Sequence, residues 1–334
     1  MTASCCSGEA SVDANRESAG MWQRPTAPQH RSQFRIGGIS VELSGHHAAD
    51  VELGPQLEPF RSNHPSDVHV EVERVTHLAA GNRRPIFDSG STWRLYRSDS
   101  GFQFDFLAAI FGEQPIKRLL VDFQFRRARL LLNQECTATL GHAIEPLAYP
   151  LDELLIMHRL TQENAIELHG CGIVSPDGSG VLFVGHSGAG KSTTTRLWTV
   201  RERVEVLSDD RIILRPAHEA RLGRSNRNSR DDRNYRIRMY GTPWHGEAMY
   251  GSPADAPIRA IFILEHGLGN RLTELAPGDA VAELFARSFV PFHQHEYVEA
   301  ALQFLQEVVA GVPCYRYRFE PNESAVDTIL KMRD

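Results

Sequence analysis

The chain has 334 residues, 41% of them hydrophobic and 23% charged, with a formal net charge of −6. That is a globular composition, long enough for about two domains of roughly 150 residues and too apolar for a disordered chain. An acidic balance argues against nucleic-acid binding, and no apolar run reaches the roughly 18 residues of a membrane helix, so a cytoplasmic protein without a membrane partner is expected.

Residues 1–33 are polar, broken by Pro25 and Pro28, and read as a disordered leader. From 34 to 145 the pattern is strand-like, with runs at 39–43, 68–72, 93–96, 102–106 and 119–125, several alternating apolar with polar. This β-rich N-terminal region shows no chemical constellation. A helix is expected at 150–160, with Pro at its start and acids in its first turn. In the remainder, 146–334, strands are expected at 166–174, 181–184, 258–264 and 314–319. Helices are expected at 191–200, at 279–289 capped by Asp279, at 296–309 and at 323–332. Alternation of this kind gives an α/β domain. The run 221–238 carries seven arginines and reads as a mobile loop. Five scattered cysteines (Cys5, Cys6, Cys136, Cys171, Cys314) hold no pair of CxxC elements, which indicates neither a disulfide framework nor a structural zinc.

The 36 basic residues include only three lysines, Lys117, Lys191 and Lys331. One of them completes Gly185-His186-Ser187-Gly188-Ala189-Gly190-Lys191-Ser192, a match to G-x-x-x-x-G-K-[ST]. With so few lysines the expected number of chance matches is about 0.002. An apolar strand before the motif and a helix after it supply the context of a phosphate-binding loop. Its glycines let backbone N–H groups turn towards phosphates, the helix N-terminus adds partial positive charge, Lys191 meets the β- and γ-phosphates, and Ser192 ligates Mg2+. Thr193 follows as the next residue of the nucleotide site.

Two further features lie at telling positions. Asp209 and Asp210 fall 18 and 19 residues after Lys191, between two strand-like runs at 204–208 and 211–214. Adjacent carboxylates there suit a metal and base pair. The strand at 166–174 and the one at 181–184 are joined by Ser-Pro-Asp-Gly-Ser-Gly, which predicts a hairpin. Pairing Val174 with Val181 sets His169 opposite His186, beside the phosphates.

A His-Gly strand, a hairpin, this loop and an Asp-Asp pair at this spacing together resemble the HPr serine kinase family, which shares its nucleotide-binding core with ATP-dependent phosphoenolpyruvate carboxykinase. The resemblance covers about 150–215 and is weaker to the C-terminus. It is closest to the HPr-kinase-like proteins of peptide-modification clusters, lasso peptide kinases among them, which carry a segment like 240–247. The likeness implies a mixed sheet of that type and an ATP- and Mg2+-dependent kinase phosphorylating a serine on a small protein or peptide. It implies Asp209 as the base, His169 as its assistant, and Asp210 near the metal. Departures are Thr193, where those kinases carry Glu, and the missing Pro-Gly-Arg-Asn-like loop, so the likeness does not extend to HPr itself as acceptor. Glu247 is a candidate replacement for the missing acid, and Trp244 and His245 for the wall of an acceptor groove. A small-molecule kinase and a nucleotide-responsive regulatory module remain as alternatives, and no oligomeric state is assigned.

Overall fold

A computed structural model describes residues 28–332, except 82 and 218–236. The fold is mixed α/β, with a β-rich N-terminal region and two mixed sheets. The first sheet comprises β1 (His30–Ile36), β2 (Ile39–Gly45), β3 (Val68–Val75), β4 (Phe87–Asp88), β5 (Trp93–Ser98), β6 (Gly101–Phe106), β7 (Lys117–Asp122) and β8 (Arg127–Asn133). Its order is β1-β2-β3-β8-β7-β6-β5-β4, parallel only at β2/β3 and β3/β8. Two helices follow, α1 (Gln134–Leu140) and α2 (Leu151–Leu160). Leu151, Leu154, Leu155, Ile156 and Leu160 of α2 pack into the apolar core of this sheet. Thus the helix that opens the second half in sequence belongs to the first half in packing.

The second sheet is built from β9 (Ile166–Val174), β10 (Gly180–Val184), β11 (Glu205–Ser208), β12 (Arg211–Pro216), β13 (Ile237–Tyr240), β14 (Asp255–His266), β15 (Arg271–Glu274), β16 (Ser288–Phe289) and β17 (Cys314–Phe319). The remaining helices are α3 (Lys191–Arg201), α4 (Pro277–Phe285), α5 (His295–Gly311) and α6 (Ser324–Leu330). Every residue of β10 is buried, because Leu182 and Val184 face the core under α4 and α5 while Val181 and Phe183 face the one under α3 and α6. A strand covered on both faces reads as a continuous apolar run, which is how 181–184 stood out.

Strand β9 is the hub. Its residues 166–169 pair with β12 and 167–168 with β16, whereas 170–174 pair with β10 and 172–174 with β11. Along one edge the partner therefore changes from β16 to β10 between His169 and Gly170, whereas along the other β12 and β11 are consecutive stretches of one antiparallel partner, interrupted at Asp209–Asp210.

Several expectations need correction. Strand β1 begins at His30, inside the segment read as leader, and residues 1–27, with Cys5 and Cys6, lie outside the described residues. β7 ends at Asp122, where the expected strand continued to 125. There the chain turns, with Phe125 at φ 52° and buried, because Asp122 accepts hydrogen bonds from Phe125, Arg126 and Arg127 N–H. Helix α4 starts at Pro277 with Ala276 as its N-cap, so Asp279 sits in the first turn and caps nothing. It stops at Phe285, since 288–289 leave to pair with β9. Of the arginine-rich run only 237–238 are described, as the start of β13; the rest lies outside the described residues. No expectation covered β4, β8, β13, β15 or α1.

His158 of α2 and His293 are wedged between the two halves. His158 is 1% exposed, its ring stacks on Phe125 at 4.8 Å, and His293 lies 5.2 Å away. The Nε2 atoms of both find no partner among the described residues. Burial depresses His158 to about 3 and His293 to about 4, the latter with help from Arg97. Both are neutral when folded, whereas the unfolded chain binds protons below a pKa near 6.5. Stability is therefore full above about pH 6.5 and falls as the pH drops towards the folded values. For His158 alone the linkage reaches roughly 2 kcal/mol at pH 5. Melting wild type and His158→Phe at pH 7.5 and pH 5.0 checks this: the acid-induced drop in Tm should be smaller in the variant.

Candidate functional site

Where a strand exchanges one neighbour for another along an edge, the gap is filled by the turns at the strand ends, and open sheets bind ligands at such points. Here β10 runs into the 185–190 loop and α3, and β11 runs into the Asp209–Asp210 turn before β12. The hairpin register is one residue off the expected one: Gly180 pairs with Val174 and Val184 with Gly170, which sets His169 level with Gly185. His169, the loop and the aspartates thus meet.

Residue chemistry fits the loop to anions. Gly190 is the N-cap of α3 at φ 100°, and no side chain caps that helix. A Cβ on Gly190 would stand 2.6 Å from Phe319 Cζ, and one on Gly185 2.6 Å from Ala189 Cβ, so both glycines are required by space. An uncapped helix N-terminus leaves N–H groups to bind an anion. Lys191 is 7% exposed, and its Nζ donates to the carbonyls of Gly185 (3.1 Å) and His186 (3.2 Å). Burial, and secondarily the charges of Arg211 and Arg287, hold its pKa below the ordinary value despite Asp210. A buried cation resting on carbonyls near other cations favours an incoming anion. His266 Nε2 is 2.7 Å from Gly188 O, bracing the loop tip.

The two aspartates have different surroundings. Asp209, expected as the base, is 1% exposed, and its carboxylate accepts backbone N–H groups from Gly246 (3.0 Å), Ala248 (2.9 Å) and Tyr250 (3.2 Å). It organises the 245–250 turn and turns His245, Glu247 and Met249 outwards, all exposed. Asp210, expected at the metal, is the partner of His169, with Nε2–Oδ1 at 2.9 Å. Burial pushes the Asp210 carboxyl up, but the His169 hydrogen bond and the charges of Arg211, His169 and Lys191 outweigh it and keep the carboxyl below the usual range. Asp210 is ionised at neutral pH.

Sequence reading missed the groups that hold this pair. Arg211 bonds Asp210, its Nε reaches Glu153 Oε1 at 2.9 Å and Glu167 Oε1 at 3.5 Å, and its guanidinium lies 4.0 Å over the Phe289 ring. Glu167 is fully buried and precedes His169 by two positions, hence on the same face of β9. That period-two spacing was a legible signal. Burial, with the Glu153 charge beside it, raises the Glu167 carboxyl well above the ordinary value. Trp244 is buried, and its Nε1 donates to Asp152 at 2.8 Å, so it braces α2 and walls no groove. Ser192 and Thr193 begin α3 beside Lys191, and Ser187 stands at the loop tip. Among the described residues no group of three or more His, Cys, Asp or Glu side chains could hold a metal ion. Mg2+ carried by phosphates needs only one or two protein ligands.

Two outcomes follow from these roles. Asp209→Ala leaves three inward N–H groups unpaired, so amide exchange at 246, 248 and 250 should accelerate and stability fall by at least ~2 kcal/mol. Because the folded pKa of Glu167 is raised, its contribution to stability is present below the unfolded value near 4.5 and lost as pH rises through the folded one. Glu167→Gln, a mimic of the protonated acid, should therefore melt above wild type at pH 8, with the gap closing at pH 4.5.

No helix of the described residues is long and apolar enough to cross a membrane. No protein-family model matches the chain, and no curated protein matches it either.

Proposed function

We propose that the chain is an ATP-dependent kinase of the HPr-kinase-like type that phosphorylates a serine hydroxyl on a small protein or peptide. The observation that carries this reading is the His169–Asp210 pair at 2.9 Å beside Lys191, because binding a nucleotide needs the lysine and the loop but not a braced carboxylate. The 185–193 segment suits the phosphates of ATP, with Lys191 at the β- and γ-phosphates and the Ser192 hydroxyl towards Mg2+. ATP supplies the phosphoryl group, and Mg2+ neutralises its oxygens.

Asp210 takes the place of Asp209 as the group that orients the acceptor hydroxyl and receives its proton. Its depressed pKa makes it a weak base, which suffices where the transition state is loose and most catalysis is positioning and charge stabilisation. His169 fixes the direction of the carboxylate, and Arg211 restrains its other oxygen. Asp209 shapes the acceptor side instead: the turn it holds displays Met249, 70% exposed at φ 62°, next to His245 and Glu247. Tyr149, 60% exposed, lies beside Glu153, the carboxylate that holds Arg211. Such a surface suits a peptide better than a small metabolite.

Purified protein incubated with labelled ATP, serine-bearing peptides and small hydroxyl metabolites tests the reading. Label should enter a peptide serine. Asp210→Asn should lower transfer by about 1,000-fold while nucleotide affinity stays within about threefold, and His169→Gln should lower transfer by about 10- to 100-fold. Full activity in Asp210→Asn removes the assignment, and transfer only to metabolites moves it to a small-molecule kinase.

A further inference from the structure

Arg287 follows the last turn of α4 and lies far in sequence from every motif above. Its backbone carbonyl accepts the N–H of His169 at 2.8 Å, so the residue is tied to β9 at the point where that strand changes partners. The side chain is 8% exposed. Nη1 donates to Glu283 Oε2 (2.6 Å) and Glu283 O (2.7 Å), and Nη2 lies 3.0 Å from Nε2 of His186, in the loop. Glu283 also accepts from Arg316 at 2.7 Å, and Arg316 has a second carboxylate in Glu265 at 3.0 Å. Nε of Arg287 is buried with no partner among the described residues. The result is a cation held against the loop by Glu283, with a buried Nε–H that has no partner among the described residues and an imidazole where an anion would satisfy it better.

We infer that Arg287 ligates the terminal phosphate at the 185–192 loop and so distinguishes a nucleoside triphosphate from a diphosphate. This rests on the kinase reading above. Its position selects the terminal phosphate. Lys191 Nζ, which in loops of this spacing reaches the β- and γ-phosphates, rests on the carbonyls of Gly185 and His186. Arg287 approaches the side chain of the same His186. The two cations therefore converge on the first turn of the loop, whereas the α- and β-phosphates are cradled by the backbone that follows, at the start of α3. A diphosphate leaves Arg287 on His186; a third phosphate displaces the imidazole and offers the planar guanidinium two oxygens, a geometry Lys cannot match. The cost of exchange is one hydrogen bond to an imidazole nitrogen.

Calorimetric titration of wild type, Arg287→Gln and Arg287→Lys with Mg2+ and either ADP or a non-hydrolysable ATP analogue tests this, with melting curves to verify folding. Wild type should prefer the triphosphate. Arg287→Gln should weaken triphosphate binding by about 10- to 100-fold and ADP binding by no more than about threefold, with Arg287→Lys between wild type and Gln. If wild type binds both nucleotides and Arg287→Gln loses them equally, or loses neither, the inference is overturned and the kinase reading stands. If Arg287→Gln does not fold, the lysine variant decides: an unchanged triphosphate preference there overturns the role of the fork. Wild type that binds neither nucleotide overturns the kinase reading, and the inference with it.

Discussion

Strand β9 exchanges β16 for β10 along one edge between His169 and Gly170, while its partner on the other edge is interrupted at Asp209–Asp210 between β11 and β12, and the arrangement of the site depends on that junction. A strand has two rows of backbone groups, and each must be paired where it is buried. At the exchange, His169 N–H is taken by Arg287 O and Gly170 N–H by Asp210 O, both from turns instead of strands. Those two bonds pull the α4–β16 turn and the β11–β12 turn onto the hub. The glycine-rich loop arrives by the third route, at the end of β10. Three segments distant in sequence thus share one gap, and the backbone of β9 holds them there before any side chain contributes.

The side chains then set the electrostatics. Lys191, Arg211 and Arg287 crowd the gap, and Asp210 is the carboxylate that faces it. Behind it stand Glu153 and Glu167, both against Arg211, with burial raising the Glu167 carboxyl well above its ordinary value. Such an arrangement is costly in an empty protein, because like charges are close and partly buried. It becomes favourable when a multiply charged anion enters. The neighbouring Asp209 has its oxygens bound to backbone N–H groups, which removes it from the gap and makes it a clamp for the 245–250 turn.

How much was legible follows from the range of each interaction. Apolar alternation placed β2, β3, β5 and β6, and full burial of β10 made it readable as a run of apolar residues. Strand β1 and strand β8, which carries arginines at 127 and 129, were harder, since their polar residues mask the period. The end of α4 was misjudged because nothing local at 286–289 says helix or strand; pairing with β9 decides it. Asp209 and Asp210 were legible as a pair, yet which of them meets His169 was not, because it depends on which one faces the backbone of a turn nearly forty residues away.

The loop from Gly185 to Ser192, the hairpin that precedes it and the acidic pair were determined by the sequence itself, since each is a local demand: glycine for space at 185 and 190, a turn between two apolar runs, adjacent carboxylates at a strand end. Tertiary structure alone decided which aspartate meets His169, that α2 packs with the N-terminal sheet, and that Arg211 and Glu167 stand behind Asp210 and Arg287 against His186. These are contacts between residues tens to a hundred positions apart. Their partners are chosen by the way β9 brings diverging strands together, and no local pattern of residue types encodes that meeting.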